Sequence, residues 1–220
     1  MKKLFIVGAG GFGREVYRWA SDHPDCGREW KIAGFLDDNP EALKEFDYPL
    51  RVLAPASGYQ PEEGDLFVCG MGVPAVKRKV CSGLLASGAE FITLVHPTAI
   101  VGKNVKIGKG VMLCPGSIIS CDCEIGDFVM LNLYATIGHD VCVGPWTTLS
   151  GHCDLTTGVR LGEAVFAGSR VSVLPGRTVS DEALLGAGCV VTRDVPRGIT
   201  VFGAPARPLW GFSRGISQKD

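Results

Sequence analysis

From Val101 to Val191 an aliphatic slot recurs at every sixth residue, and no other feature limits the possible folds of this chain so tightly. The sixteen slots hold Val, Ile or Leu with the single exception of Ala167. An amphipathic α-helix would repeat at three and four residues, and a half-buried strand at two. A period of six instead fits a parallel β-helix in which three hexapeptides make one triangular coil, so that eighteen residues later the chain passes over itself. On that spacing the run gives about five coils, each resting its apolar slots on those of the next.

A second column supports the same winding. Four residues after each slot stands a small or β-branched residue, from Val105 to Val195, with Arg177 the one departure. Cys123, Cys153 and Cys189 fall in this column and read as small buried hydrophobes. Glycine often follows a slot directly, as at Gly102, Gly108, Gly126, Gly138, Gly144, Gly162 and Gly186, which suits a corner turned without a Cβ in the way.

The 220 residues carry a formal net charge of −1, and no basic run is present, which argues against nucleic acid as a partner. The opening MKKLFIVGAG reads as a first β-strand and not as a signal peptide, because the apolar run breaks at Gly8 and soon meets Arg14 and Glu15. No stretch approaches the roughly twenty apolar residues of a membrane span. Nine scattered cysteines, an odd number, point to a reducing, cytoplasmic setting without disulfides. Cys121-x-Cys123 has no second ligand pair, so no metal is expected there.

Ahead of the repeats the sequence changes character. Strands are expected over Lys2–Gly8, Trp30–Leu36 and Asp65–Cys69, and helices over Arg14–Ser21, with Val16, Trp19 and Ala20 on its apolar side, and over Pro74–Ala86. Phe91–Pro97 reads as a last strand leading into the first coil. The expectation is an α/β half-Rossmann (β-α-β) domain over residues 1–94, with a parallel sheet, followed by the β-helix and a C-terminal tail over 95–220. Gly8-x-Gly10-x-x-Gly13 fits the dinucleotide fingerprint, and Asp37 and Asp38 end the second strand where a ribose or base could be held. A dinucleotide normally spans two such halves, so about ninety residues suit a nucleotide attached to something else better than NAD. A glycine turn that merely packs helix on strand remains the plain alternative.

In the repeats, His139 stands two places after Ile137, in an outward slot near a corner, with Asp140 beside it. An imidazole so placed could act as a general base, with the carboxylate fixing its tautomer. Neighbours on a straight strand point in opposite directions, so this pairing requires the corner. Without more, an ordinary surface His beside an ordinary surface Asp is the favoured reading of the two. His152 also lies on an outward slot, His96 precedes Pro97 at the junction, and His23 sits in a polar loop.

Together the two halves resemble the sialic acid O-acetyltransferase-like family, whose members include the nucleotide-4-amino-sugar N-acetyltransferases, within the hexapeptide-repeat acyltransferases. The resemblance rests on IVGAGGFGREV at the start, FLDD at Asp37-Asp38, GVPAVKRKV from Gly72, LVHPTAIVG from Leu94 and LNLYATIGHDVCVG around His139. The ending CVVTRDVPRGITVFGAPAR is shared more widely among hexapeptide acyltransferases. The resemblance implies a left-handed winding, although parallel crossovers are otherwise right-handed. It implies acetyl-CoA as co-substrate, a nucleotide-linked 4-amino sugar as acceptor, and a place in bacterial surface-glycan (lipopolysaccharide, O-antigen) biosynthesis. It also implies a homotrimer with the coenzyme groove between subunits. Carried over residue by residue, His139 is the general base and Asp140 its partner. Sugar-nucleotide contacts fall on Gly10, Gly11, Phe12, Asp37, Asp38 and Gly72, with Asn132 near the reacting sugar. Coenzyme contacts fall near Thr148, Ser169 and Ala187; relatives can carry His at position 148 and Gly at position 157, where this chain has Thr148 and Thr157.

Four rivals stand beside this. A γ-type carbonic anhydrase needs three zinc histidines, two of them close together, whereas His139 and His152 are thirteen residues apart with no third in the repeats. An NAD-dependent oxidoreductase is disfavoured by the half-sized first domain. A non-catalytic nucleotide-sugar scaffold would leave His139 and Asp140 incidental. Acyl transfer through Cys121, one coil before His139, is the covalent variant. The nucleotide base, the sugar, the acyl length and an oxygen acceptor such as sialic acid stay open at this stage.

Overall fold

A computed structural model describes residues 1–209, which divide into two compact units, residues 1–97 and residues from Thr98 onward. In the first unit β1 (Lys2–Val7), β2 (Trp30–Leu36), β3 (Val52–Ala54), β4 (Asp65–Cys69) and β5 (Glu90–Phe91) form one parallel sheet in the order β3-β2-β1-β4-β5. Near-continuous apolar runs in β1 and β4 dictate this, since a central parallel strand is covered on both faces. Leu4, Ile6 and Val7 are wholly buried, and every residue of β4 is buried. Helix α1 (Gly11–Asp22) sets Val16, Trp19 and Ala20 against the sheet at three- and four-residue spacing, and α2 (Pro74–Ala86) starts with proline in its first turn.

The sequence places β2, β4 and α2 at their observed bounds. It starts α1 three residues late, because the last glycines of the turn already belong to the helix. It misses β3, a three-residue edge strand with no fully buried position. The single strand expected over Phe91–Pro97 is in fact β5 and a separate β6 (Leu94–Val95). The chain leaves the sheet once Ile92 N has donated to the Phe67 carbonyl at 2.9 Å.

The second unit is a stack of two-residue strands paired in parallel with the strand eighteen residues on as far as Val191, after which Leu184 and Leu185 pair with Thr200 and Val201 at an offset of sixteen. Ile119 lies over Ile137, Ile137 over Leu155, Leu155 over Val173 and Val173 over Val191, forming a first face. A second face runs through Ile125, Val143, Leu161 and Val179, and a third through Leu113, Leu131, Leu149, Ala167 and Leu185. From Leu113 to Val191 every slot residue is 4% exposed or less. The slot pattern overstates the core at its start, where Val101 is 39% exposed and Ile107 half-buried, since the first coil has no coil before it.

The corners work differently from the sequence expectation. From Asn104 to Gly188 the residue three places after each slot always has positive φ, and ten of these positions are not glycine. The glycines directly after the slots serve another purpose: a Cβ on Gly144 would lie 2.4 Å from the carbonyl carbon of Gly162 in the next coil. They permit close passage between coils, while the left-handed residue turns the chain.

Burial this complete makes the middle coils sensitive to truncation. Leu155→Ala, between Ile137 and Val173, is expected to cost about 2–5 kcal/mol, and Val101→Ala at the open end under about 1 kcal/mol. Urea denaturation at matched protein concentration checks the ranking, and equal losses would contradict it.

Candidate active site

The corner joining the first and second faces carries the chemistry-bearing column. Ile137 anchors it inward, and Gly138 lets the chain pass against Thr156 and Thr157, where a Cβ would lie 3.0 Å from their backbone. Asp140 N donates to the Cys121 carbonyl at 3.3 Å, and Gly158 N donates to the His139 carbonyl at 3.0 Å, which fixes this backbone to the coils on either side. Asp140 has φ +61°, and that left-handed turn brings its carboxylate to the side of the imidazole. His139 Nδ1 and Asp140 Oδ2 are 2.6 Å apart, with the side chains 52% and 65% exposed.

A carboxylate only accepts, so in the neutral ring Nδ1 carries the proton and Nε2 keeps its lone pair. The threonine hydroxyl of the next coil meets that lone pair: Thr157 Oγ1 is 3.1 Å from Nε2. On the preceding coil the Cys121 thiol donates to the Asp122 carboxylate. The carboxyl of Asp122 is held below its ordinary value by the Asn104 amide at 2.8 Å, by that thiol and by the nearby His139 imidazole. Cys121 is thus engaged with a carboxylate.

The remaining candidates of this unit lie elsewhere on the prism. Ser169 and Ala187 are exposed, one coil apart, at the corner between the third and first faces. His152 is at the same corner, stacked on Tyr134 with ring centroids 5.4 Å apart. Thr148 sits on the third face and is only 1% exposed. Asn132, half-buried at the end of its strand, turns its Oδ1 back to accept from Leu133 N at 2.6 Å. Tyr134 and Asp140 mark adjacent corners six residues apart, a contour of at most about 20 Å. His139 and the Ser169–Ala187 pair thus stand at different corners of one chain's prism.

In the first unit the candidates gather at the carboxyl ends of β1, β2 and β4, where the sheet order reverses between β1 and β4, the usual crevice of such sheets. The glycines there divide by role. A Cβ on Gly13 would lie 2.0 Å from the Gly8 carbonyl oxygen, and one on Gly70 would lie 2.9 Å from Gly13 Cα, so these three hold helix to strand. Gly10, the cap of α1, has no side-chain cap, and Gly11 is exposed with only the Arg14 guanidinium near a would-be Cβ. Phe12 is half-buried with its ring edge on Trp19 at 5.6 Å, and Gly72 is half-buried just after β4.

Asp37 and Asp38 are more occupied than the sequence implied. Asp37 accepts from Ala9 N at 2.7 Å and Asn39 N at 2.8 Å, tying the glycine turn to the end of β2. Asp38 accepts from both the backbone and hydroxyl of Ser57 at 2.9 Å, and the Ser57 backbone bond chiefly holds its carboxyl below the usual range.

His23 and His96 have internal roles: His23 ends α1, stacks on Trp30 and accepts from Asp25 N at 3.2 Å, and burial pushes the His96 imidazole down. Sequence inspection missed Lys77, 2% exposed on α2, whose amine burial pulls down to about 8 against the opposing pull of Cys69 and Cys81. A lysine on a helix carries no sign of burial in its spacing. The contact of Thr157 with His139 could have been found, since it lies eighteen residues, one coil, beyond that histidine. Among the described residues no helix is long and apolar enough to cross a membrane.

Residues 3–84 match the family described as the PglD N-terminal domain. Over 213 residues the chain is 29% identical to GDP-perosamine N-acetyltransferase of Escherichia coli O157:H7, covering 93% of this chain and 95% of that one. Among solved structures, PerB from Caulobacter crescentus in complex with CoA and GDP-perosamine superposes with a TM-score of 0.85 at 28% identity, covering 95% of this chain and 98% of that one. The acetyltransferase domain of PglB from Neisseria gonorrhoeae FA1090, in complex with acetyl coenzyme A, gives a TM-score of 0.85 at 27% identity, covering 94% and 99%. With a six-residue-repeat prism following a PglD-type N-terminal domain and this likeness along nearly its whole length, the chain is homologous to nucleotide-amino-sugar N-acetyltransferases and matches the acetyltransferase structures of the hexapeptide-repeat family.

Proposed function

We propose that this protein moves the acetyl group of acetyl-CoA to the 4-amino group of a nucleotide-linked 4-amino-4,6-dideoxy sugar, by direct transfer in a ternary complex. The observation that carries this is the outward imidazole of His139 with Nδ1 held by Asp140 at 2.6 Å, leaving a basic nitrogen at the surface. As the amine attacks the thioester carbonyl, His139 takes its proton and Asp140 stabilises the imidazolium. The imidazolium then supplies the proton that the departing thiolate needs.

Residues 1–94 serve the nucleotide and residues 95–220 the acetyl transfer. Gly10, Gly11, Phe12 and Gly72 line the sugar nucleotide, at the crevice where amides and a helix N-terminus can meet phosphate. Asp37 and Asp38 act there with their remaining lone pairs and by shaping the turns they already hold. Asn132 faces the reacting sugar. The coenzyme runs past Ser169 and Ala187, and past Thr148 by its backbone, since that side chain is buried. Because His139 and the Ser169–Ala187 corner stand apart in one chain, a homotrimer that sets one copy's corner against another's completes the groove. The setting is the bacterial cytoplasm, where surface-glycan precursors are built.

A thiol-release assay with acetyl-CoA against UDP-, dTDP- and GDP-linked 4-amino-4,6-dideoxy sugars tests the activity. CMP-sialic acid and free sialic acid serve as oxygen-acceptor controls. Release with an amino sugar is expected; release with sialic acid alone would replace this proposal with O-acetylation. His139→Ala should lower kcat by about 10²–10⁴-fold with acetyl-CoA binding unchanged, and wild-type turnover in it would reject the base. Asp37→Ala removes a charge-assisted tie on the glycine turn, so KM for the nucleotide sugar should rise by about tenfold or more while KM for acetyl-CoA holds. Sedimentation at assay concentration should give three times the 23.3 kDa chain mass, and a monodisperse monomer would remove the two-copy site.

A further inference from the structure

We infer that Thr157 is a second catalytic residue, whose hydroxyl relays the acceptor's proton to His139; this rests on the acetyltransferase activity proposed above. Asp140 fixes the ring proton on Nδ1 at 2.6 Å, so the one lone pair that can serve as base is on Nε2. That lone pair faces Thr157 Oγ1 at 3.1 Å, and since Nε2 has no hydrogen the hydroxyl is the donor. An amine arriving at this corner therefore meets the hydroxyl oxygen where it would otherwise meet the base. Oγ1 still has lone pairs to accept with.

Backbone register holds the two groups together. Gly158 N donates to the His139 carbonyl at 3.0 Å and Gly176 N to the Thr157 carbonyl at 2.9 Å, so both residues are locked to successive coils. A β-branched side chain is stiff at χ1, which keeps the hydroxyl on the ring. Thr157 is half-buried and its partner ring half-exposed, which leaves the pair open to a ligand on the prism wall.

The transfer balances without any further reactant. The amine nitrogen forms its bond to the thioester carbonyl carbon, and the carbonyl π pair moves to oxygen. The N–H proton passes to Oγ1 as the hydroxyl's own proton passes to Nε2, which leaves Thr157 neutral and His139 an imidazolium beside Asp140. As the oxygen pair re-forms the carbonyl, the C–S bond breaks with its electrons on sulfur. The proton returns from Nε2 through Oγ1 to give the free thiol.

The first measurement is wild-type thiol release over the sugar-nucleotide panel: none with any acceptor sinks the acetyltransferase activity and the relay with it. With activity present, Thr157→Val should lower kcat by about 10- to 100-fold with both KM values within about twofold, and Thr157→Ser should stay within about threefold of wild type. Rates in mixed H₂O and D₂O give a second readout on the unaltered enzyme: a bowed proton inventory is expected from two protons in flight, and a straight one in Thr157→Val. Wild-type kcat in Thr157→Val, or a straight wild-type inventory, would overturn the relay while leaving the His139 base standing.

Discussion

One constraint governs the second unit from Ile100 to Val191: each coil takes the same number of residues, so that a strand hydrogen-bonds to the strand eighteen residues away. Strands of two residues have almost no stability singly, and they persist because each is paired above and below and sealed by apolar slots. The register is maintained at a local cost. Ten non-glycine residues adopt left-handed φ at the corners, each costing about 1–2 kcal/mol in an L-residue. Burying one Leu or Val slot contributes about 1.5–3 kcal/mol, so slot and corner are of opposite sign and similar size. The winding survives where slots are filled and buried, and it is weakest at the first coil, where Val101 faces solvent.

The same register turns sequence spacing into spatial adjacency and thereby builds the site. Cys121, His139 and Thr157 are eighteen residues apart and stand in one column at one corner, where their carbonyls accept hydrogen bonds from backbone N–H groups of the following coils. An ion pair as exposed as His139–Asp140 adds only about 0–1 kcal/mol to folding. What the pair supplies is orientation: a defined tautomer, a fixed ring plane and a basic nitrogen at a known place on the wall. A helix surface could set a His beside an Asp as well, but its next layer of residues would come from other elements; here the neighbour above and the neighbour below are set by the count of eighteen.

Much of this was legible in the sequence because the repeat is long and unbroken. Slots from Leu113 onward, the small column and the β-α-β order all follow from spacing and from apolar runs. Corners were misassigned because residues as different as Trp146, Arg170 and Asp140 all take the left-handed turn, so no residue type marks it. The glycine visible in the sequence marks a different need, room for the next coil. β3 carried no signal because an edge strand of three half-covered residues has neither alternation nor an apolar run. Lys77 and the double bond-acceptor role of Asp37 depend on what packs around them, which a linear pattern does not encode.

The glycine fingerprint shows why a motif must be divided before it is interpreted. A turn that only packs and a turn that binds phosphate predict the same letters, and packing accounts for only some of these glycines. Gly8 and Gly13 touch each other and Gly70, so any side chain there would push helix from sheet. Gly11 is exposed at the start of α1, and a Cβ there would touch none of that packing. Retaining glycine at Gly11, where a Cβ would meet only the Arg14 guanidinium at 3.9 Å, has no packing rationale. An unpacked glycine at a helix N-terminus leaves room for close backbone approach by a ligand's phosphates, which is the role proposed for it.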